Sequence, residues 1–502
     1  MYTWPFPHFS TPGVSIPIAL LLTILFVLPI YFVYAAFGSA MPRAGGDYLF
    51  QTRGLHPVIG FVFPTGWEIL MWTSFTASGG FVLTTLGLVP MFDSIGNATG
   101  NNSFINAASW MGSSNGTFII TLIATFLAFL ICVSGMKTYV KIQRWILVPA
   151  ILITNLFLII VLIKVSPSDF QAAFNAFHAK MMGDPDFYNT ILQAARDNAY
   201  QTPEFSWKST LYFLPVSVGL MGYTVFSAQG ILGEVKSANN FKNLFSAFLL
   251  GGMYSSLIAI GLVFLVFQKA VGWDFLHAFS FVYYNGLVEL PYSPNLSVFT
   301  SMLSLNPVLS VLLSIGFMAN GFYLVVCVFL NMTRVMVSMG LDGTLPSWFA
   351  EINRKFHSPL KATTFFFAVS VVVIILFNFR PDWFNIVILG SIFSSLGVLG
   401  VTCLAAVFLP KRNPHIFKAS PVGNWYIGPI PVLSLVGALG AICVFTFVGM
   451  DLFLPELGLT DPVPRFVIIG TLVFSLIFYY GYKYYRRAKG IDIDVSTEIP
   501  PE

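Results

Sequence analysis

The stretch SAMPRAGGDYLF, residues 39–50, closes a run of about twenty-five residues that carry no charge. Pro42 cannot donate a helical hydrogen bond, and Gly45 and Gly46 relax the backbone, so the run ends here as a helix would. An uncharged run of that length is enough to cross the ~30 Å hydrocarbon layer of a bilayer. The fold therefore turns on whether such runs recur.

They recur from end to end. The chain has 502 residues, 56% hydrophobic, 16% aromatic and only 9% charged, where a soluble chain averages about 25% charged. A soluble globular class is excluded. A β-barrel would show alternating segments of ~10 residues, and these runs are longer and do not alternate. The reading is an all-α polytopic membrane protein with about eleven transmembrane helices. They are expected near 14–39, 55–90, 117–138, 145–165, 210–233, 244–270, 306–333, 361–379, 384–409, 428–450 and 464–482. The four cysteines (Cys132, Cys327, Cys403, Cys443) fall inside apolar runs and read as packing residues. No metal site, cofactor or nucleic-acid partner is expected.

Orientation follows from where Lys and Arg collect. With the 40–54 turn inside the cell, eighteen basic residues lie on the inner side and seven on the outer. The C-terminus is then cytoplasmic and the N-terminus, as written, outside the cell membrane. Asn97, Asn101 and Asn115 each open an N-x-Ser/Thr pattern near the loop 91–116, which suits an outer surface. Residues 1–486 read as one membrane domain with outer loops 91–116, 166–209 and 271–305. Short surface helices are expected around Phe170–Met181 and Asp274–Tyr284. The tail 487–502 is polar and reads as disordered. The spans beginning near 55 and 306 are unusually long, in places that hint at the inverted repeats of secondary transporters.

Three stretches sharpen that hint: SAMPRAGGDYLFQTRGLHP at 39–57, SVGLMGYTVFSAQGILGEVKSANNFKN at 217–243, and TRVMVSMGLDGTLPSWFAEINRKFHSPLKATT at 333–364. Together they resemble the amino acid–polyamine–organocation permeases. That family has an M-P-R-x-G-G-x-Y turn after its second helix, a G-E-x-K end to its sixth and an R…D-G-x-L-P-x-x-F…P loop after its eighth. The order and spacing match from residue 14 to about 486. Two departures stand out: no Pro follows Gly233-Glu234-Val235-Lys236, and Leu341 replaces a frequent basic residue before Asp342-Gly343. The resemblance implies a five-plus-five inverted-repeat transporter. In its helix order the spans here correspond to helices two to twelve, with no counterpart of the first.

Candidate functional residues come from chemistry that must work without water. Broken helices offer N–H groups to a carboxylate and free carbonyls to an ammonium. The span 210–233 contains Pro215, Gly219, Gly222 and Gly230. Unwinding is expected near Gly219–Phe226, with Gly219, Gly222, Tyr223, Thr224 and Phe226 binding substrate and Tyr223 or Phe226 gating it. The bland alternative is that these glycines only permit close helix packing. Glu68, a carboxylate well inside a span, is a candidate for proton coupling, since buried acids line ion and proton paths. Its alternative is an acid near a helix end that reaches water or a Lys.

The hydroxyls of Ser310 and Ser314, and of Ser394 and Ser395, are candidates for ligating Na⁺ or substrate, against ordinary bonding back to the helix. Arg43, Glu234 and Arg334 form a candidate inner gate. The Asp342-Gly343 pair reads most simply as a helix-ending turn. The function expected is secondary active transport of an amino acid or related amine across the cell membrane, coupled to H⁺ or Na⁺. The partners are a small-molecule substrate and the lipid bilayer. The alternative is a permease-like protein without transport activity as written, a sensor or a truncated product. No catalytic set stands out, so an enzyme is not expected.

Overall fold

The computed structural model describes residues 12–258, 267–290, 292, 294–303, 306–380, 382–457, 462–491 and 493. Helices dominate them, with one two-stranded hairpin, Tyr426–Ile427 against Ile430–Pro431. In chain order the principal helices are α1 (Ile16–Ala40), α2 (Gly46–Gly54), α3 (Pro57–Thr99), α4 (Asn102–Gly112), α5 (Ser114–Val133) and α6 (Met136–Val161). Next come α7 (Pro167–Met181), α8 (Phe187–Asp197), α9 (Trp207–Gln229), α10 (Phe241–Ile258), α11 (Trp273–Tyr284) and α12 (Leu296–Met302). The last five are α13 (Pro307–Leu341), α14 (Leu360–Phe379), α15 (Asp382–Arg412), α16 (Val432–Phe453) and α17 (Pro462–Arg487).

Ten helices among the described residues are long and apolar enough to cross a membrane. The eleventh expected span, 244–270, is described as α10 and as a π-helical turn over Phe267–Val271; the residues between lie outside the described ones. Large apolar side chains face outward along helical stripes. Phe466, Ile469, Val473 and Ile477 of α17 form one, and Ile119, Ile123, Phe126 and Leu130 of α5 another. Exposed apolar stripes of this kind are a lipid-facing surface, since water would penalise them.

The two long spans are long in the structure as well. Helix α13 has 35 residues and continues past the expected end to Leu341. The continuous helix α3 has 43 residues, about 65 Å at 1.5 Å per residue, twice the hydrocarbon thickness. Its extension corrects the expectation of a loop over 91–116: Val89–Thr99 continues α3, and Asn102–Gly112 forms α4. Asn101 caps α4 through a 2.9 Å bond from the Ser103 N–H, so the polar residues there end and start helices. Within α3 two π-helical stretches, Pro64–Leu70 and Val82–Leu88, shift the register. Pro64, lacking an N–H, opens the first. Helices α3 and α13 cross where Gly79 meets Gly321: a Cβ on Gly321 would lie 2.5 Å from the Leu83 nitrogen.

Turns gather at two ends of the bundle. At one end Arg53 pairs with Asp342, Asn413 Nδ2 donates to the Arg53 carbonyl (2.5 Å) and Ser358 Oγ donates to the Val133 carbonyl (2.8 Å). At the other, Lys180 donates to the Asn97 carbonyl (3.0 Å) and Lys269 to the Ile163 carbonyl (2.8 Å). We call the first the basic end, after the Lys and Arg that its turns collect. The second is the capped end. There α7 and α11, the surface helices expected from sequence, pack with α8 and α12 through Phe170, Phe174, Phe187, Tyr188, Phe275 and Phe299.

Candidate functional site

At the basic end the MPRAGGDY turn is a wedge between helices. Gly45 and Gly46 take positive φ, +122° and +43°. A Cβ on Gly46 would fall 1.1 Å from Gln229 Oε1, so only glycine leaves room for the Gln229 side chain. That side chain works at both ends. Its Oε1 accepts the Asp47 backbone N–H at 2.6 Å, and its Nε2 donates to Glu68 Oε1 at 3.2 Å.

Asp47 and Glu68 are both fully buried. Asp47 Oδ1 accepts the Tyr34 hydroxyl of α1 at 2.6 Å and the Thr402 hydroxyl of α15. Burial pushes the Asp47 carboxyl above the usual carboxylate range, an effect its hydrogen bonds partly oppose. Glu68 therefore does not reach water or a Lys. It faces a second acid, which sequence reading overlooked because Asp47 looked like part of a turn.

Two ion pairs flank this wedge. Arg53 Nη1 lies 2.7 Å from Asp342 Oδ2, with the Arg53 side chain only 1% exposed, and the Tyr48 hydroxyl donates to the same oxygen at 2.8 Å. Asp342 thus ends α13 and also anchors α2. Arg334 Nε lies 2.9 Å from Glu234 Oε1, in a pair whose Glu234 side chain is 34% exposed. Of the expected inner gate, the structure joins Glu234 to Arg334. Arg43 is exposed, and its ion pair with Glu234 is not among those described. The reason is geometric: the backbone of Arg43 and Ala44 packs against Gly233, which turns the Arg43 side chain outward.

Deeper in the bundle a packed aromatic cluster joins α3 to α9. Trp72 lies 4.4 Å from Phe226 and 5.7 Å from Tyr223, centroid to centroid, and Phe75 lies 4.9 Å from Tyr223. From α15, Ser395 Oγ accepts the Trp72 indole N–H at 3.0 Å, and Ser391 and Ser74 share a hydrogen bond. Tyr223 and Phe226 share this cluster, their ring centroids 6.5 Å apart. Trp72 and Phe75 were missed, because aromatic residues inside an apolar helix give no periodic signal of their own.

The expected unwinding is corrected. Helix α9 is α-helical without interruption over Leu214–Gln229, through Gly219–Phe226. Its glycines serve packing instead: a Cβ on Gly219 would lie 2.9 Å from Ile392, and one on Gly222 2.6 Å from Leu399. Irregular π-helical backbone lies instead in α3, at Pro64–Leu70 and Val82–Leu88, and in α6, at Gln143–Leu147. Thr224 turns away from the aromatic cluster, toward Gly251 of α10.

The serines divide. Ser394 and Ser395 both donate back to the Ser391 carbonyl, at 3.0 and 2.7 Å. Ser310 lies toward the capped end, where its hydroxyl is 2.6 Å from that of Ser94, and Ser314 is buried one turn further. The two serine pairs do not form one site.

Ten apolar helices among the described residues, lipid-facing stripes and a polar and aromatic interior define a multi-pass helical membrane protein. The chain belongs to the amino acid permease family, whose model matches residues 3–474. Such a protein is a transporter of small molecules, which agrees with the resemblance read from the three motifs. No curated protein matches the chain.

Proposed function

We propose that this permease is a secondary active transporter of an amino acid or a related amine, working by alternating access with its basic end toward the cytoplasm. The observation that carries the reading is the packed aromatic cluster of Trp72, Phe75, Tyr223 and Phe226. It is buried between helices rather than against lipid, and is bounded by Ser391 and Ser395. Aromatic faces attract an ammonium group, and more strongly when water is excluded. Hydroxyls beside them offer acceptors for its protons. The ion pairs at one end and the aromatic cap at the other are the parts that must open in turn.

Purified protein in liposomes tests this with a panel of labelled amino acids and amines, each measured under a pH gradient, a Na⁺ gradient and neither. Uptake of at least one compound, reduced by Trp72→Ala with folding intact, is expected. Absence of uptake across the whole panel would overturn the assignment. Dependence on one gradient identifies the coupling ion.

A further inference from the structure

The carboxyl groups of Asp47 and Glu68 come together, and no Lys or Arg among the described residues forms an ion pair with either. Their accepting oxygens are partly served: Oδ1 of Asp47 by Tyr34 and Thr402, Oε1 of Glu68 by Gln229. The other two oxygens, Asp47 Oδ2 and Glu68 Oε2, are buried and accept no hydrogen bond from any donor group of the described residues. The two carboxyls lie within hydrogen-bonding reach of each other. Titratable groups face the pair from two packed helices, Tyr34 from α1 and Cys403 from α15, with Cys443 of α16 behind. Helix α9 contributes Gln229, which is neutral. Arg53 of α2 points to Asp342, and Arg334 of α13 points to Glu234.

Two carboxylates this close and fully buried, with no cationic side chain of the described residues paired to either, cannot both ionise; one proton between them turns repulsion into a charge-assisted hydrogen bond. We propose that Asp47 and Glu68 form a proton-binding dyad, whose single shared proton holds α2, α3 and α9 together at the basic end and couples transport to the pH gradient. The coupling part rests on the transport reading above.

The bond balance is simple. In the closed state one carboxyl is protonated and donates its O–H to the ionised other, while Gln229 ties the Asp47 backbone and the Glu68 carboxyl to the end of α9. When the dyad releases its proton, the O–H bond breaks and its electron pair stays on the carboxylate oxygen. The proton passes to water entering from the basic end. Two adjacent anions then repel across a poorly screened gap. The least costly relief is for the glycine wedge carrying Asp47 to move away from α3, which breaks the Gln229 clamp. That movement opens the basic end between its two ion pairs. Reprotonation restores the clamp. Gln229 is the positioning residue, since it transmits the state of the dyad to the helix that carries Tyr223 and Phe226.

Infrared spectroscopy of the full chain in lipid nanodiscs reads the shared proton without requiring transport. A carbonyl-stretch band of a protonated carboxyl is expected at neutral pH. It should shift in heavy water and vanish in both Asp47→Asn and Glu68→Gln. Tyr34→Phe, which removes one donor to the ionised form but no carboxyl, should move its titration to higher pH by about one unit. Absence of any band that depends on both acids would overturn the dyad. So would a carboxylate signal that responds to Na⁺ and not to pH, which would make the site a cation site.

In liposomes, the ratio of pH-driven uptake to substrate exchange should fall in Glu68→Gln to the value measured without a gradient. An unchanged ratio would remove the dyad from coupling. If the wild type shows the band and its titration but moves no compound in either assay, the transport reading and the coupling role fall together, and the shared proton stands.

Discussion

The two ends of this bundle are held together by different physics. At the basic end a few directional contacts do the holding: the Gln229 clamp on Asp47 and Glu68, the Arg53–Asp342 pair and the Arg334–Glu234 pair. At the capped end the contacts are mainly rings. Tyr188 stacks on Phe275 at 4.0 Å, His178 on Phe187 at 4.4 Å, and Phe279 meets Phe299 edge-on at 5.4 Å. Directional bonds to buried charges are lost all at once when geometry or protonation changes. Packed rings lose energy gradually and are indifferent to most changes in charge. Under the proposed dyad mechanism the basic end switches and the capped end holds.

The largest blow to that contrast is at Asp342. Asp342→Ala takes away the carboxylate that the buried Arg53 guanidinium faces, and removing one partner of a buried pair costs about 3–5 kcal/mol. A fall of several degrees in the thermal midpoint of the purified protein is expected. An unchanged midpoint would mean that the pair is not a fixed contact.

At the capped end Phe174→Ala should cost about 3 kcal/mol or more, as for other buried aromatic truncations. The cost should appear as faster hydrogen exchange in α7 and α8, with the basic end unaffected. Equal loosening at both ends would show that the bundle does not divide as described.

One titration does reach the cap. His178 is buried with its ring nitrogens facing the Phe174 carbonyl and the Tyr292 hydroxyl, and burial lowers its pKa from 6.5 to about 4. The unfolded cap takes up a proton that the folded cap resists, so stability is complete above about pH 6.5 and is lost as pH falls toward 4. The shift corresponds to roughly 2–3 kcal/mol of local stability. Exchange in residues 167–197, corrected for its intrinsic pH dependence, should rise between pH 7 and 5 in the wild type. In His178→Gln it should not.

The smallest effect is expected at Glu234→Gln. This pair has the same chemistry as Arg53–Asp342, but its carboxylate is about one-third exposed, so less than about 1 kcal/mol is at stake. A midpoint shift as large as that of Asp342→Ala would show that burial does not separate the two pairs.

Much of the fold was legible because a bilayer imposes a one-dimensional rule: each crossing needs a long uncharged run, and basic residues collect on one side. The long helices α3 and α13 and the surface helices α7 and α11 follow from that pattern and from composition. The site was less legible. Glu68, Tyr223 and Phe226 were recognisable as an acid and aromatics inside spans. Their partners Asp47, Gln229, Trp72 and Thr402 come from distant segments, and no local pattern joins them. The glycines of α9 misled for a similar reason. Gly permits both an unwound helix and a tightly packed one, and Ile392 and Leu399 on a neighbouring helix decide between the two.

By itself the sequence determined that this chain lives in a membrane, roughly where its long apolar helices lie and which motifs it carries, because hydrophobic length and turn chemistry are local properties. Only the tertiary structure decided that the MPRAGGDY turn brings one acid against another. Asp47 and Glu68 are separated by a helix end and a turn, and burial and partner count belong to the packed assembly. The same turn that ends the first apolar run places a buried carboxyl opposite its only described acidic neighbour, and that pairing, not the run, makes the turn chemically consequential.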